Sequence, residues 1–94
     1  MGEFEWDPLK AARNLKTHGV AFTEALTVFA DPQAQIFDDP DHSFDERREI
    51  IVGYSTRHRL LVVGFTERSG RVHLINARRA SRGETRRHEE HTKA

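Results

Sequence analysis

Cysteine is absent from the sequence, and tryptophan and tyrosine occur once each. The lack of thiols excludes disulfides, thiolate metal sites and cysteine nucleophiles, and makes a reducing compartment, the cytoplasm, the expected home. No apolar run approaches the roughly 20 residues that a bilayer-spanning helix requires. The opening Met1-Gly2-Glu3-Phe4-Glu5 is acidic where a secretion signal is basic, so no membrane association is expected. With 94 residues the chain has material for one modest core. A single domain over residues 1–94 is expected, and a multi-step metabolic enzyme is not. The acidic loop at residues 38–45 fails as a calcium site. Counted from Asp39, its sixth position is Phe44 where an EF-hand needs Gly, and its twelfth is Ile50 where it needs Glu.

The charge that is present is segregated. Residues 1–66 hold seven Lys and Arg against eleven Asp and Glu, a balance of −4, and residues 67–94 hold eight against four, a balance of +4. Such an asymmetry steers an anionic partner, nucleic acid or acidic protein, toward one part of a molecule whose formal net charge is zero.

Phe4-Glu5-Trp6-Asp7 reads as a short strand closed by a helix cap, with Asp7 at the N-cap and Pro8 at the first helical position. The helix ends at His18-Gly19, where His18 is read as a capping or packing residue. Leu9, Ala12, Leu15 and Lys16 fit its stripe, and Lys10 and Arg13 its solvated side. A second helix, capped by Thr23 with Phe22, Leu26 and Phe29 on one face, stops at Asp31-Pro32 and forms a hairpin with the first. Strands are expected at residues 33–37, 47–54, 60–65 and 71–78, with turns at 55–58 and 68–70. Residues 60–65 are apolar on both faces and therefore central. The fold class is α+β: two N-terminal helices packed on a small antiparallel meander, with a C-terminal helix.

The most informative stretch is the last strand and its exit. Val72-His73-Leu74-Ile75-Asn76-Ala77 alternates, and the pattern then turns helical, so Arg78 and Arg79 fall where the strand leaves the sheet. Ser81 and Glu84 form a Ser-x-x-Glu capping box that fixes the helix start. Two adjacent guanidiniums match phosphate oxygens, two bonds each. A charge-guarded edge strand or surface salt bridges account for the same residues without chemistry. The helix at residues 81–91 has almost no apolar stripe, the pattern of a helix awaiting a partner. Glu84, His88 and His91 are spaced to share a helix face, but with no second shell visible in the sequence they are a weak metal signal, and neither metal nor cofactor is expected.

Several of these residues together resemble a known signature. They are Phe4-x-Trp6-Asp7, the run Asn14-Leu15-Lys16-Thr17-His18-Gly19-Val20 followed by Phe22, Glu24-Ala25, Glu46-Arg47, Leu61-Val62-Val63 with Thr66-Glu67-Arg68, and Ile75-Asn76-Ala77-Arg78-Arg79-Ala80 with Glu84. In order and spacing, from Phe4 to Glu89, the chain resembles the BrnT family of type II toxins. The resemblance implies a RelE-like fold and RNA cleavage that arrests translation. It also implies neutralisation by a BrnA-type antitoxin with a ribbon-helix-helix DNA-binding domain, commonly in a two-plus-two heterotetramer that represses its own operon. Against the family pattern, Thr17 stands where Lys is usual before His-Gly, Asn76 where Ser is usual before Ala-Arg, and His88 where Tyr is frequent.

Metal-independent RNA cleavage needs a base for the 2′-hydroxyl, cations for the developing phosphorane charge and an acid for the leaving 5′-oxygen. Arg78 and Arg79 are the expected phosphate clamps, Arg47 and Arg68 further cations, and His88 the acid or base. The expected register sets Arg78 near Arg57, His58 and Arg59, and Arg68 near Arg47, with roughly 25 to 30 Å between the clusters at about 3.3 Å per residue. Catalysis is therefore assigned to the C-terminal cluster, and Glu46, Arg47 and Arg68 to an ion-pair network or RNA path. The alternative is a non-catalytic module that binds antitoxin, operator DNA or the ribosome without cutting.

Overall fold

The computed structural model describes residues 3–93; Met1 and Gly2 of the acidic opening, and Ala94, lie outside them. Five strands, β1 (Phe4–Glu5), β2 (Gln35–Asp38), β3 (Arg48–Tyr54), β4 (Leu60–Arg68) and β5 (Arg71–Arg79), form one sheet in the order β1-β5-β4-β3-β2. β2 to β5 are the expected meander, and β4, buried continuously over residues 60–66, is its centre. β1 departs from it. Phe4 pairs with Val72 and Glu5 with His73 in parallel, so the sheet is mixed rather than wholly antiparallel. The long excursion through the N-terminal helices and three strands makes such a pairing possible.

The β4–β5 hairpin turns through Ser69 and Gly70, both at positive φ, and Ile75 is an extra residue between the pairs Gly64–Asn76 and Phe65–Leu74. This tight turn and bulge set Arg78 opposite Val62 and Arg79 opposite Leu61, not beside Arg57, His58 and Arg59 as the spacing predicts.

Helix α1 (Pro8–His18) has the expected ends: the Leu9 N–H donates to Asp7 Oδ1 at 2.8 Å, and Gly19 closes it at φ 69°. Its buried side is not the expected one. Leu9 and Leu15 are 74% and 51% exposed, while Ala11 and Asn14 face the protein. The cause is the rim of β5, which β1 leaves uncovered beyond His73. There the Ala77 N–H donates to Asn14 Oδ1 at 3.1 Å, and Asn14 Nδ2 donates to the carbonyls of Ala77 and Val20 at 2.8 and 2.9 Å. One carboxamide stands in for the missing strand, and a fully bonded polar group takes the buried position in place of the leucines.

The second helix is a single α turn, α2 (Phe22–Ala25), continued as a 3-10 segment over Leu26–Ala30; its N-cap is Ala21, not Thr23. It buries Phe22, Ala25 and Val28 against Leu61, Val63 and Leu74 on one face of the sheet. Phe29 bridges Phe4 and Phe65 edge-on, with centroids 5.1 and 5.0 Å away. Glu24, its side chain 5% exposed, is held by Arg59 through both carboxylate oxygens and by Ser55 Oγ at 2.7 Å. Arg59 above all holds this carboxyl below the usual range and ties α2 to the β3–β4 turn. Among the described residues, no helix is long and apolar enough to cross a membrane.

Candidate active-site groove

The other face of the sheet is covered by helix α3 (Arg82–Thr92), whose start is the expected capping box. The Glu84 N–H donates to Ser81 Oγ at 3.2 Å, and the Ser81 N–H to Glu84 Oε1 at 2.8 Å. Of its side chains only that of His88 is buried. Strand alternation aligns Gln35, Val52, Val62 and Arg78 in one row on this face. Between that row and the helix lies a groove of about 720 Å³, its floor Phe37, Ile50, Val52 and Val62, and its walls Arg78, Glu84, Arg87, His88, Glu90 and His91.

Arg78 is fixed at the groove's end by a two-pronged pair, Nη1 and Nη2 each 2.8 Å from an oxygen of Glu84. The same carboxylate closes the helix cap. Arg78 first, and the cap second, hold the Glu84 pKa at about 2. Arg79 does not join this clamp. Successive residues of a strand point to opposite faces, so Arg79 shares the side of Ala77 and α1, where it is exposed and, among the described residues, without a hydrogen-bond or ion partner for its side chain. The two guanidiniums read as one clamp belong to two surfaces.

His88 is 3% exposed. Its Nδ1 lies 3.2 Å from Gln35 Oε1, so Nδ1 is the ring nitrogen that is already engaged. Nε2 is buried and, among the described residues, is the one buried side-chain polar atom without a partner. Tyr54, the chain's single tyrosine, stands edge-on to the imidazole at 5.9 Å between ring centroids. Sequence reasoning missed Tyr54, Gln35 and Arg87. Tyr54 was legible in principle, since it shares the parity of Ile50 and Val52 on β3.

Arg47 and Arg68 lie at the far end of the sheet. Arg68 is six residues along β4 from Val62, the partner of Arg78, so the gap is about 20 Å, shorter than the expected register gave. They do not share Glu46: Arg68 binds it at 2.6 Å, whereas Arg47 takes Asp38 at 2.7 Å, since β2 runs beside β3 at that corner. Neither arginine lines the groove. Among the described residues, no three His, Asp or Glu side chains are grouped to hold a metal ion. The helix-face set of Glu84, His88 and His91 is broken because Arg78 takes the carboxylate. A second, shallower cleft of about 320 Å³ lies between α1 and β5, lined by Lys10, Arg13, Asn14, Thr17, His18 and Ile75. His18 is exposed there, neither packed nor buried.

Against known proteins, no curated protein matches the chain. Among solved structures it is similar to the ribonuclease toxin BrnT of Brucella abortus, with a TM-score of 0.69 and 20% identity over 87% of this chain and 100% of that one. At that identity the likeness speaks for the fold: a five-stranded sheet with three helices. The model of a family described as the ribonuclease toxin, BrnT, of type II toxin-antitoxin systems matches residues 6–84, a span that includes strands β2 to β5, the groove's arginine and the carboxylate that holds it. The chain belongs to the BrnT family of type II ribonuclease toxins.

Proposed function

We propose that this protein is a RelE-like endoribonuclease toxin, a single domain that acts in the cytoplasm, cuts RNA without a metal and so arrests translation. The observation that carries this reading is the groove, where a fixed guanidinium, further cations and a histidine with an unused ring nitrogen converge over an apolar floor. A phosphate entering at Arg78 competes with Glu84, because the two donors that bracket a carboxylate also fit two phosphoryl oxygens. Arg78 then carries charge as the phosphorane forms, with Arg87 on the groove wall as a further cation. His88 Nε2 accepts the 2′-hydroxyl proton or, once protonated, returns one to the 5′-oxygen. Reaching Nε2 requires α3 to shift, and a helix docked through one buried side chain and one ion pair is suited to do so. Arg79 contacts RNA from the other face, and Arg47 and Arg68 are structural ion pairs or an outlying part of the RNA path.

The partner is a BrnA-type antitoxin with a ribbon-helix-helix domain, in a two-plus-two assembly that touches operator DNA through the antitoxin. It docks on α3 and the part of the sheet that the helix leaves uncovered, where Phe37 is 49% exposed. Hydrogen exchange with and without antitoxin tests this surface, and unchanged protection over residues 81–91 and the groove strands counts against it.

A second reading has its own support: Glu84 already occupies both Arg78 prongs, as in a module that docks partners and does not cut. Incubating bulk RNA with the purified protein in EDTA, without antitoxin, separates the two. Cleavage lost in Arg78→Ala with the thermal midpoint retained supports the enzyme; intact RNA with the wild type supports the binding module.

A further inference from the structure

Several surface arginines are matched to acids, Arg47 to Asp38, Arg68 to Glu46, Arg71 to Glu3 and Glu5, and Arg78 to Glu84, while others, Arg79 among them, are not. Helix α1 contains no Asp or Glu to match its own cations. Lys10, Arg13 and Thr17 lie on one ridge at helical spacing. Among the described residues, the side chains of Lys10, Arg13 and His18 make no hydrogen bond or ion pair. The ridge is fixed against β5, because Asn14 beside it is bonded to both backbone groups of Ala77. Ile75, pushed out by the bulge, supplies an apolar spot in the cleft that the ridge borders. Arg79 lies on this side of β5.

We propose that the α1–β5 cleft is a second RNA-binding surface, which holds the backbone of single-stranded RNA after it passes over the end of β5. The proposal rests on the α3 groove being where RNA is cut. Because Arg78 and Arg79 are adjacent and face opposite ways, a chain of phosphates rounding the strand end meets Arg78 on the groove side and Arg79 on the other, then Arg13 and Lys10. Such a sharp turn selects a single strand over a stiff duplex. The surface also favours a nucleic acid over an acidic protein. It joins the groove through consecutive residues, and it offers exposed point charges with one small apolar contact, which suits charge-driven backbone binding but lacks the buried anchor of a protein interface.

The test is the affinity of the full chain for a short 2′-O-methyl oligoribonucleotide, which cannot be cut by 2′-hydroxyl attack, measured across a salt series. Each lost phosphate contact removes about 0.7 from the slope of log affinity against log salt, so Lys10→Ala/Arg13→Ala loses about 1.4. Lys16→Ala removes a cation of the same helix that does not line the cleft, and leaves the slope as in the wild type. A double-variant slope equal to wild type, or an equal loss in Lys16→Ala, overturns the proposal. So does a double variant that binds RNA normally but loses antitoxin, which makes the cleft a protein interface. Thermal midpoints monitor folding throughout. The α3 reading fails separately, if wild type leaves bulk RNA intact, since the binding slopes are read whether or not the protein cuts.

Discussion

The two faces of this sheet are covered by different means. Beneath α1 and α2, side chains such as Val20, Ala25, Leu61 and Leu74 are wholly excluded from solvent, and the buried polar groups, Asn14 and Glu24, have their partners. Beneath α3 the sheet offers an apolar floor at Phe37, Ile50, Val52 and Val62, yet the helix touches it through a histidine with an unmatched nitrogen and closes on it with one arginine–glutamate pair. Apolar strand residues are therefore not sufficient to make a core; the covering element must bring apolar area of its own. Stability is concentrated on the first face, and the second is the more loosely covered.

The largest expected effect separates two arginine–glutamate pairs of similar chemistry. Arg59→Ala strands the Glu24 carboxylate, 5% exposed, with Ser55 as its remaining side-chain partner, and urea denaturation at pH 7 is expected to register a loss of about 3 kcal/mol or more. Because the Glu24 pKa is lowered in the folded state, that contribution is present above the ordinary carboxylate range and fades as pH falls below it. Arg78→Ala breaks the pair on the open face, where the arginine side chain is 43% exposed, and is expected to cost under about 1 kcal/mol of stability. Equal losses in the two variants would remove the contrast between the faces.

Activity should rank the pairs the other way. Losing the Arg78 guanidinium is expected to raise the cleavage barrier by on the order of 3 kcal/mol, about a hundredfold in rate. Arg78→Lys recovers little of it, since an ammonium lacks the fork. Arg47→Ala and Arg68→Ala, at the far corner, should each cost less than about tenfold, an outlying contact being worth under about 1.4 kcal/mol. Cleavage rates and thermal midpoints on the same four proteins decide this, and full cleavage by Arg78→Ala removes the groove assignment. His88→Ala should slow cleavage by about a hundredfold; cleavage at the wild-type rate in this variant assigns the proton transfer elsewhere, with His91 on the same wall the next residue to substitute.

What could be read in the sequence was local. Asp7-Pro8, His18-Gly19 and Ser81-x-x-Glu84 mark helix ends by bonds made within a few residues, and all three stand as expected. The unbroken apolar run of β4 marks the centre of the sheet because only a strand covered on both faces tolerates it. The failures were matters of tertiary fit. No periodicity reveals that Asn14 replaces a strand at the rim of β5, so the leucines of α1 were placed inward. The bulge at Ile75 leaves no local mark, and the register of the arginines moved with it. The divergence of Arg78 and Arg79 was in reach, because it follows from strand alternation once residue 79 is admitted to β5.

The smallest expected effect bears on what Glu84 does at the groove's end. Glutamine also serves in a capping box, so Glu84→Gln keeps the helix start and removes only the charge facing Arg78. The Glu84 pKa is held at about 2, against an ordinary value of about 4.3. A depressed carboxyl stabilises the fold above its unfolded value, so the contribution is complete by about pH 5 and disappears as pH falls toward 2. With 24% of the Glu84 side chain and 43% of the Arg78 side chain exposed, solvent screening reduces the contribution to about 1 kcal/mol. Thermal midpoints of wild type and Glu84→Gln should therefore differ modestly at pH 7 and converge as pH falls through about 2. RNA affinity should move the opposite way: if a phosphate must displace Glu84 from Arg78, the variant binds the uncleavable oligoribonucleotide more tightly at pH 7 while being the less stable protein. A variant that loses stability and RNA affinity together would identify Glu84 as a support that orients Arg78 for phosphate, not as its competitor.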